Sequence, residues 1–414
     1  SFEVEILDSS TSNTSVGGTI SVSNDATFGS SITSGNFGAN KTYIDDVPIL
    51  MGGKMPITIL PNGTAWIGSV TPSSNAISSL RWPSGSLSYT EVAASYDKFW
   101  QIPGITNAIA SSSNDYGYVS ALLLSNGTIL TWGYEEAGDG NLGHGIQYTN
   151  TPAGTNVPTE VVGISTAVSV HIQSYGSPGH RGYAILSDGK LMYWGKNINE
   201  GVSGQHGVPI EHPELDWPTE KAKNIAWGTA GSQFIVLEDG RIRVVDPHPY
   251  DRGDIGTAPY VSNGTSGEVL TGVIQVASAS YSVYALCSDG SVWSWGYYYL
   301  NLGRPDLTSN LHAHPPAKII TGGAKKLVAQ SSGGYALMDD GSVKAWGTSQ
   351  SDVFLQGDSG TAYYLEPVTL GVIPPMADIS VIMYNCMTGV TTAGEIIIWG
   401  YPGSSVNNWG PVTQ

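Results

Sequence analysis

The sequence predicts an all-β fold: a seven-bladed β-propeller closed by pairing of its N- and C-terminal segments, with a short N-terminal arm. Three observations predict it, namely a hairpin motif repeated along the chain, a composition rich in turn residues, and no long amphipathic helical pattern. Of 414 residues, 53 are Gly and only 12% are charged, which suits many short strands joined by turns. We divide the chain into an arm over residues 1–40 and a propeller over residues 41–414.

The repeated motif is a short apolar run, an Asp-Gly or Asn-Gly pair, and a second run that ends in Trp-Gly in most copies. A clear copy is Tyr335-Ala-Leu-Met-Asp-Asp-Gly-Ser-Val-Lys-Ala-Trp-Gly347. Asp-Gly and Asn-Gly pairs tolerate the positive φ angles of tight hairpin turns. Each unit is therefore predicted to be a hairpin followed by two further strands, which together make the four-stranded blade of a propeller. The seven anchor glycines, one per copy and 50 to 64 residues apart, are Gly63, Gly127, Gly189, Gly240, Gly290, Gly341 and Gly394.

A Trp stands five residues after most anchor glycines, and Val245 replaces it in the fourth copy. We expect these indoles to pack between neighbouring blades, because one large aromatic side chain buries much area. The recurring Asp of the hairpins is predicted to serve the turn and not acid–base chemistry. The Trp residues are Trp132, Trp194, Trp295, Trp346 and Trp399, and the Asp residues are Asp188, Asp239, Asp289 and Asp340.

The last copy lacks two strands, and the segment at residues 42–50 has the Val-Pro and Ile-Leu character of the missing pair. We predict that this segment completes the final blade, because a closed ring has no exposed terminal blade.

The order apolar run, Asp-Gly, apolar run, Trp-Gly is followed by a loop with Gly138-Asp-Gly-Asn-Leu-Gly-His-Gly145 and by strands rich in Pro and Val. This order resembles the repeat of the regulator of chromosome condensation family, and Asn301-Leu-Gly303 is similar to a fragment of the same loop. The resemblance covers about residues 42–414 and implies a seven-bladed propeller. It implies no single function, since the family includes a nucleotide-exchange factor for a small nuclear GTPase, protein inhibitors of β-lactamase, and domains of secreted or phage proteins.

Catalytic signatures are absent from the sequence, which shows no nucleophile elbow, no metalloprotease motif, no phosphate loop and no dinucleotide fingerprint. We therefore expect a protein that is not an enzyme and needs no cofactor or metal. His312 and His314 could offer two metal ligands, but no third can be named. Glu135, Asp139 and Asn141 could offer oxygens to calcium, but without the spacing of a calcium loop.

The formal net charge of −17 argues against nucleic-acid partners and anionic membranes, and no apolar run is long enough for membrane insertion. Two cysteines are too few for a disulfide framework, and Cys287 is predicted to be a small core hydrophobe.

Binding is predicted for aromatic residues in the longer loops, where rigid rings beside Ser, Asn and Gly make an adaptable contact surface. About half of such rings are expected to pack beneath their own loops instead. The predicted binding residues are Trp82, Tyr96, Trp100, Tyr148, Tyr297, Tyr298, Tyr299, Tyr363 and Tyr364.

The leading hypothesis from the sequence is a recognition protein of the extracellular space or virion surface. It would be a phage or viral receptor-binding protein or a secreted adhesin, which binds a host cell-surface protein or glycan through its loops. The arm would join it to a larger particle. The alternative is an intracellular propeller that acts as a GTPase exchange factor or enzyme inhibitor, and a third hypothesis is a hydrolase with a site in the propeller channel.

Overall fold

The computed structural model describes an all-β chain. The described residues are 31–33, 57–59, 62–68, 98–113, 118–135, 140–146, 148, 153–174, 180–196, 205–227, 232–245, 260–262, 266–279, 281–309, 314–330, 333–349, 362–371, 373–383, 386–392 and 396–400.

The strands of the described residues form antiparallel sheets that follow one another along the chain, seven in number over these residues. The first contains β1 (Ser31–Thr33), β2 (Ile57–Ile59), β3 (Ala65–Gly68) and β4 (Lys98–Gln101). The second contains β5 (Ala108–Ser113), β6 (Val119–Leu124), β7 (Ile129–Tyr134) and β8 (Gly154–Glu160). The third contains β9 (Ala167–Ser174), β10 (His180–Leu186), β11 (Leu191–Lys196) and β12 (Gln205–Glu211). The fourth contains β13 (Ala222–Trp227), β14 (Gln233–Leu237) and β15 (Ile242–Val245). The fifth contains β16 (Val273–Ala279), β17 (Ser282–Cys287), β18 (Val292–Gly296) and β19 (His314–Ile320). The sixth contains β20 (Ala324–Gln330), β21 (Gly333–Met338), β22 (Val343–Ser349) and β23 (Ala362–Thr369), and the seventh β24 (Met376–Met383), β25 (Cys386–Thr391) and β26 (Ile396–Gly400).

In the second, third, fifth and sixth sheets the repeated hairpin lies in the middle of its sheet, and this corrects the predicted blade. In the second sheet the order is β5-β6-β7-β8, so one strand precedes the hairpin β6–β7 and one follows it. The prediction of two downstream strands was wrong because the second of them, β9, starts the next sheet. Residues 42–50 lie outside the described residues, so ring closure and the total of seven blades remain predictions. Within the predicted arm, β1 pairs with β4 of the first sheet.

Each of the six anchor glycines within the described residues joins its sheet to the next one. Its carbonyl oxygen accepts a hydrogen bond of 2.7–3.0 Å from the first N–H of the following sheet. At Gly290, φ is +76°, and an added Cβ would lie 2.5 Å from the backbone nitrogen of Gly323. The repeated glycine therefore serves both the turn and the contact between sheets. The bonded pairs are Gly63–Ala108, Gly127–Ala167, Gly189–Ala222, Gly240–Val273, Gly290–Ala324 and Gly341–Met376.

The predicted turn role of the recurring Asp is confirmed. Its carboxylate accepts a hydrogen bond of 2.9–3.0 Å from the backbone N–H two residues later, as Asp289 does from Ser291. Hydrogen bonds from Ser291 lower the pKa of Asp289, and those from Ser342 lower the pKa of Asp340. Asn62 and Asn126 make the same bond in their hairpins.

The first strands of neighbouring sheets pack side by side. They are linked by hydrogen bonds to the side chain of the residue that follows the β-bulge in each strand. Asn224 accepts a bond from the Val276 N–H, and Gln275 bonds both the N–H and the C=O of Leu327. Because equivalent positions meet, these strands run in the same direction. All hairpin turns therefore lie at one end of the sheets, the turn face, and the loops after the third strands lie at the other, the loop face. The bulged residues are Ile109, Val168, Lys223, Ile274, Lys325 and Ala377.

The predicted packing of the repeated Trp is confirmed, since Trp132, Trp194, Trp295, Trp346 and Trp399 are fully buried. Trp194 of the third sheet joins a core with Leu142 and Val161, which belong to the second sheet and its loops. The residue across the hairpin from this indole is Gly182, whose missing side chain leaves room for the ring.

The outer edge strands carry Pro, namely Pro158 in β8, Pro209 in β12, Pro315 in β19 and Pro367 in β23. Pro has no N–H to offer to an added strand, so these edges are poor templates for edge-to-edge pairing. No helix among the described residues has the length and apolarity to span a membrane.

Candidate interaction face

Two loops on the loop face are held by the same device, an Asn-Leu-Gly turn that we name a clasp. The second-sheet clasp is residues 141–143 and the fifth-sheet clasp is residues 301–303. In each, a hydroxyl of the third strand donates to the Leu carbonyl: Thr131 to Leu142 at 2.5 Å and Ser294 to Leu302 at 2.7 Å. Both Leu side chains are fully buried. Each loop is therefore attached to its own sheet at the clasp.

Each clasp also contacts the following sheet. The Trp194 indole donates to the Asn141 carbonyl at 3.0 Å, and the Thr348 hydroxyl donates to the Asn301 amide oxygen at 3.1 Å. Tyr284 donates its hydroxyl to the Asn301 carbonyl at 2.6 Å. The Asn-Leu-Gly segments that resemble the family loop thus fix two loops to the sheets. The exposed residues of these loops form a preorganised surface.

His144 supports the second-sheet clasp as a neutral ring. The Thr131 hydroxyl donates to Leu142, so it accepts from the Nε2–H of His144 at 2.8 Å. Nδ1 then accepts from the Tyr148 hydroxyl at 2.6 Å. Burial lowers the pKa of His144 to about 4. Burial and the nearby Glu135 carboxylate raise the pKa of Tyr148.

We expect stability to fall as the pH is lowered from the ordinary His pKa of 6.5 towards 4. In this window the unfolded chain binds a proton that folded His144 refuses, and above pH 6.5 the contribution is fully present. The slope contributed by one such group is at most about 1.4 kcal/mol per pH unit. Urea unfolding between pH 7 and 4.5 measures it, and the variant His144→Gln is expected to show a shallower dependence. Identical slopes for the two proteins would contradict the assignment.

Tyr148 is thus a structural member of its loop. Its hydroxyl is used by His144, and its ring packs against the core beneath the clasp. Tyr364 likewise packs against the core between the sixth and seventh sheets. Both belong to the half of the aromatic residues expected to pack under their loops.

Three other predicted binding residues lie together at the fifth-sheet clasp. Tyr297 comes directly after β18, Tyr298 is the next residue, and Tyr299 begins a short 3-10 helix, Tyr299–Asn301. Tyr298 is 39% exposed, while Tyr297 and Tyr299 are half-buried. The backbone N–H of Tyr297 donates to the carbonyl of Tyr281 at 2.8 Å, so the loop is tied to the preceding strand connection.

Tyr281 and the pair Tyr118 and Tyr134 are loop-face aromatics that sequence reasoning missed. Tyr281 has φ +52°, an uncommon conformation for a residue other than Gly. Tyr118 and Tyr134 occupy the same two positions in the second sheet as Tyr281 and Tyr297 in the fifth, and their rings meet edge to face at 6.1 Å. The sequence signal for Tyr134 was a Tyr directly after Trp-Gly, as at Tyr297, and no such signal marks Tyr118 or Tyr281.

The remaining predicted binding residues lie in strands or outside the described residues. Trp100 lies in β4, where its backbone pairs with Ser31 and Ile67, and Tyr363 lies in β23 opposite Thr348. Trp82 and Tyr96 lie outside the described residues.

The turn face differs from the loop face in chemistry. Its basic side chains are paired with acidic neighbours, as in Lys190–Glu211 at 3.2 Å, Arg241–Asp239 at 2.7 Å and Lys318–Asp289 at 3.9 Å. Exposed pairs of this kind contribute little stability, but they leave a mixed and locally neutral surface.

The described residues contain no metal-binding cluster, and Cys287 is not exposed. No group of three or more His, Cys, Asp or Glu side chains able to hold a metal ion occurs in this part of the chain. His314 is buried and bonds the Ser309 carbonyl at 2.9 Å, while His312 lies outside the described residues. Cys287 is buried in the core, as predicted, and burial raises the pKa of its thiol.

Comparison with known proteins connects this repeat geometry to a family. No family model matches the chain. The mitochondrial RCC1 domain-containing protein RUG3 of Arabidopsis thaliana is 27% identical over 201 residues, which are 46% of this chain and 42% of RUG3. Protein pim1 of Schizosaccharomyces pombe is 24% identical over 260 residues, 46% of each chain. Human E3 ubiquitin-protein ligase HERC2 is 26% identical over 287 residues, 64% of this chain but 6% of HERC2.

Among solved structures, yeast RCC1 (Prp20) bound to Kap60 superposes with a TM-score of 0.56 at 14% identity, over 74% of this chain and 75% of Prp20. Human WBSCR16 superposes with a TM-score of 0.53 at 14% identity, over 73% and 79%. The chain resembles the RCC1-type propellers in its repeat and in its fold. It spans less than half the length of the curated relatives that it matches.

These RCC1-type relatives correct the location predicted from sequence. The expectation of an extracellular or virion-surface location is wrong, because the relatives point against it: RUG3 is a mitochondrial protein. Nor does any of the matched proteins support a host cell-surface protein or glycan as partner. One Prp20 structure holds it bound to Kap60, and another is described together with its binding properties to Gsp1p and histones.

Proposed function

We propose that this chain is a non-enzymatic, protein-binding RCC1-type propeller that holds a partner protein against its loop face. The proposal keeps the alternative raised by the sequence, an exchange factor or enzyme inhibitor, and sets aside the surface-attachment hypothesis. Support comes from the relatives: Prp20 has been solved with Kap60, and its binding to Gsp1p and histones has been described.

The observation that carries the proposal is the tyrosine group at the fifth-sheet clasp. Tyr297, Tyr298 and Tyr299 stand on a loop whose backbone is bonded to β18 and to the connection before β17, and whose Leu302 is fully buried. Tyr is enriched at the energetic centres of protein interfaces because it buries a large area at a low entropy cost. A partner would therefore find these rings already in place.

The replacement of Tyr298 by Ser is expected to weaken partner binding without changing folding. Tyr298 is exposed and lies outside the core clusters, so we expect an unchanged melting temperature and a dissociation constant raised about tenfold or more, as for an interface hot spot. The matched control is Lys318→Ala on the turn face, whose exposed ion pair with Asp289 contributes little.

The experiment captures proteins from a cell extract on the immobilised chain and its two variants, followed by a titration with the purified captured protein. Loss with Tyr298→Ser and retention with Lys318→Ala support the proposal. Equal binding by all three proteins, or equal loss with both variants, contradicts it. If the partner is a small GTPase, nucleotide release in the presence of the chain distinguishes an exchange factor from an inhibitor.

A further inference from the structure

Four neighbouring first strands carry a row of alternating basic and apolar side chains at the turn face. The strands are β13, β16, β20 and β24, and Cα atoms of each strand lie within 8 Å of Cα atoms of the next. In each strand the bulged residue directly follows the buried residue whose N–H bonds to the anchor glycine of the preceding sheet. The bulged residues are therefore equivalent in position, and we name four of them the inner row: Lys223, Ile274, Lys325 and Ala377.

The inner row is open to solvent. Its two lysines and Ala377 are exposed, and Ile274 is half-buried. The same position holds Ile109 in the second sheet and Val168 in the third, and these side chains are 50% and 57% exposed. None of these six bulged residues is acidic, although acidic residues outnumber Lys and Arg by 34 to 17 in the whole chain. The inner row is thus a basic and apolar strip on an acidic protein.

The two lysines of the inner row differ from other lysines of the turn face, because they have no carboxylate partner. Lys221 pairs with Glu238 at 3.9 Å, and Lys318 pairs with Asp289 at 3.9 Å. No carboxylate of the described residues lies within 4.0 Å of either ammonium group of the inner row. The segments beside these two lysines all belong to the described part of the chain, namely residues 212–227, 266–279, 314–330 and 373–383. Both charges are therefore available to a ligand.

We propose that the inner row binds an acidic and aliphatic segment of a partner protein, in which Glu or Asp alternates with a residue such as Leu. A carboxylate complements the charge of each ammonium group. An aliphatic side chain between two carboxylates would contact Ile274, which stands between the two lysines in the row, and would remove apolar surface from water. Charge and apolar contact therefore both contribute to recognition.

Other anionic ligands match the inner row less well. A nucleic acid binds through many lysines and arginines that displace counterions from successive phosphates, whereas the inner row has two lysines in a chain with a net charge of −17. A phosphate backbone also has no aliphatic group to contact Ile274. An anionic membrane is repelled by the same net charge. An acidic peptide segment is thus the ligand that fits both the charge and the apolar residues of the row.

The inner row and the tyrosine group of the fifth-sheet clasp lie on opposite faces. The proposal therefore goes beyond the proposed function, and either of them can fail without the other. A chain that uses both faces would hold two proteins at once, one on the loop face and one on the turn face.

The test is isothermal titration calorimetry of the full chain with the capped peptide Glu-Leu-Glu-Leu-Glu. Two control peptides each remove one feature: Gln-Leu-Gln-Leu-Gln has no charge, and Glu-Ser-Glu-Ser-Glu has no aliphatic side chain. An oligothymidylate tests for a nucleic acid. We expect saturable binding of the first peptide, weakened by added salt, and at least several-fold weaker binding of both control peptides and of the oligothymidylate.

Two double variants assign the binding to the inner row. Replacement of both Lys223 and Lys325 by Gln is expected to weaken binding of Glu-Leu-Glu-Leu-Glu about tenfold, as for the loss of two exposed charge contacts. The matched control replaces both Lys221 and Lys318 by Gln, which changes the net charge of the same face equally but alters lysines that already have partners. We expect this control to bind like the unchanged chain. All four lysine side chains are exposed to solvent, so neither double variant is expected to change the melting temperature.

Several results would overturn the proposal. One is the absence of saturable binding of Glu-Leu-Glu-Leu-Glu, and another is equal binding of this peptide and either control peptide. Equal weakening by the two double variants would show an effect of net charge alone. Tighter binding of the oligothymidylate than of the peptide would assign the inner row to a nucleic acid instead.

Discussion

Replacement of Trp346 by Ala is expected to lower the free energy of unfolding by about 3–5 kcal/mol, the usual loss for a fully buried aromatic residue. Trp346 joins the fifth and sixth sheets. Its ring meets Tyr284 edge to face at 5.3 Å, and both belong to one buried core cluster. Deletion of the indole would leave a cavity between two sheets that the backbone cannot collapse to fill, because the clasp and the Gly290–Ala324 bond hold the sheets apart.

Urea unfolding followed by circular dichroism measures this loss. The matched control is Trp293→Ala, because Trp293 is only partly buried and Lys318 lies 5.4 Å from its ring. We expect the control to lose about 1 kcal/mol, in proportion to the smaller apolar area that it buries. Similar losses for Trp346 and Trp293 would show that the repeated Trp is not the main contact between sheets.

Replacement of Gly290 by Ala is expected to lower the free energy of unfolding by about 3 kcal/mol or more. Backbone strain and a clash with the neighbouring sheet both contribute, and a second glycine of the chain separates the two. Gly290 has φ +76° and a Cβ would meet the Gly323 backbone, whereas Gly163 has φ +75° with open space around it. Gly163→Ala therefore adds only the left-handed backbone strain, about 1–2 kcal/mol. The difference between the two variants, measured by urea unfolding, is the cost of pushing neighbouring sheets apart.

Equal effects of Gly290→Ala and Gly163→Ala would mean that the anchor glycine serves its turn alone. In that case the bond from Ala324 to the Gly290 carbonyl would not explain why the glycine recurs at every sheet.

Local chemistry made the hairpins, the turn Asp and the buried Trp predictable from sequence. The Asp289 turn depends on residues within two positions of one another, and the Trp346 environment follows from a repeated pattern. The assignment of β9 to the third sheet depends instead on its pairing with β10, which a pattern centred on the preceding hairpin does not report.

The candidate surface was harder to predict for the same reason. The residue type alone does not reveal whether an aromatic side chain makes contacts inside the protein or is left exposed. The hydroxyl of Tyr148 bonds to His144, whereas Tyr298 is exposed. Trp227 was missed because it lies outside the repeated motif. The cross-strand rows of neighbouring sheets must be compared to see that the fourth sheet has Trp227 on its first strand and Val245 at the third-strand position that is Trp194 in the third sheet.

Amide hydrogen exchange of residues 42–50, measured by mass spectrometry on the native chain, tests the closed ring most directly. If this segment supplies the strand that joins the last sheet to the first, its amides will exchange only on global unfolding, as slowly as those of β24. Exchange at the rate of an unstructured peptide, with β24 still protected, would contradict the closed ring of seven sheets.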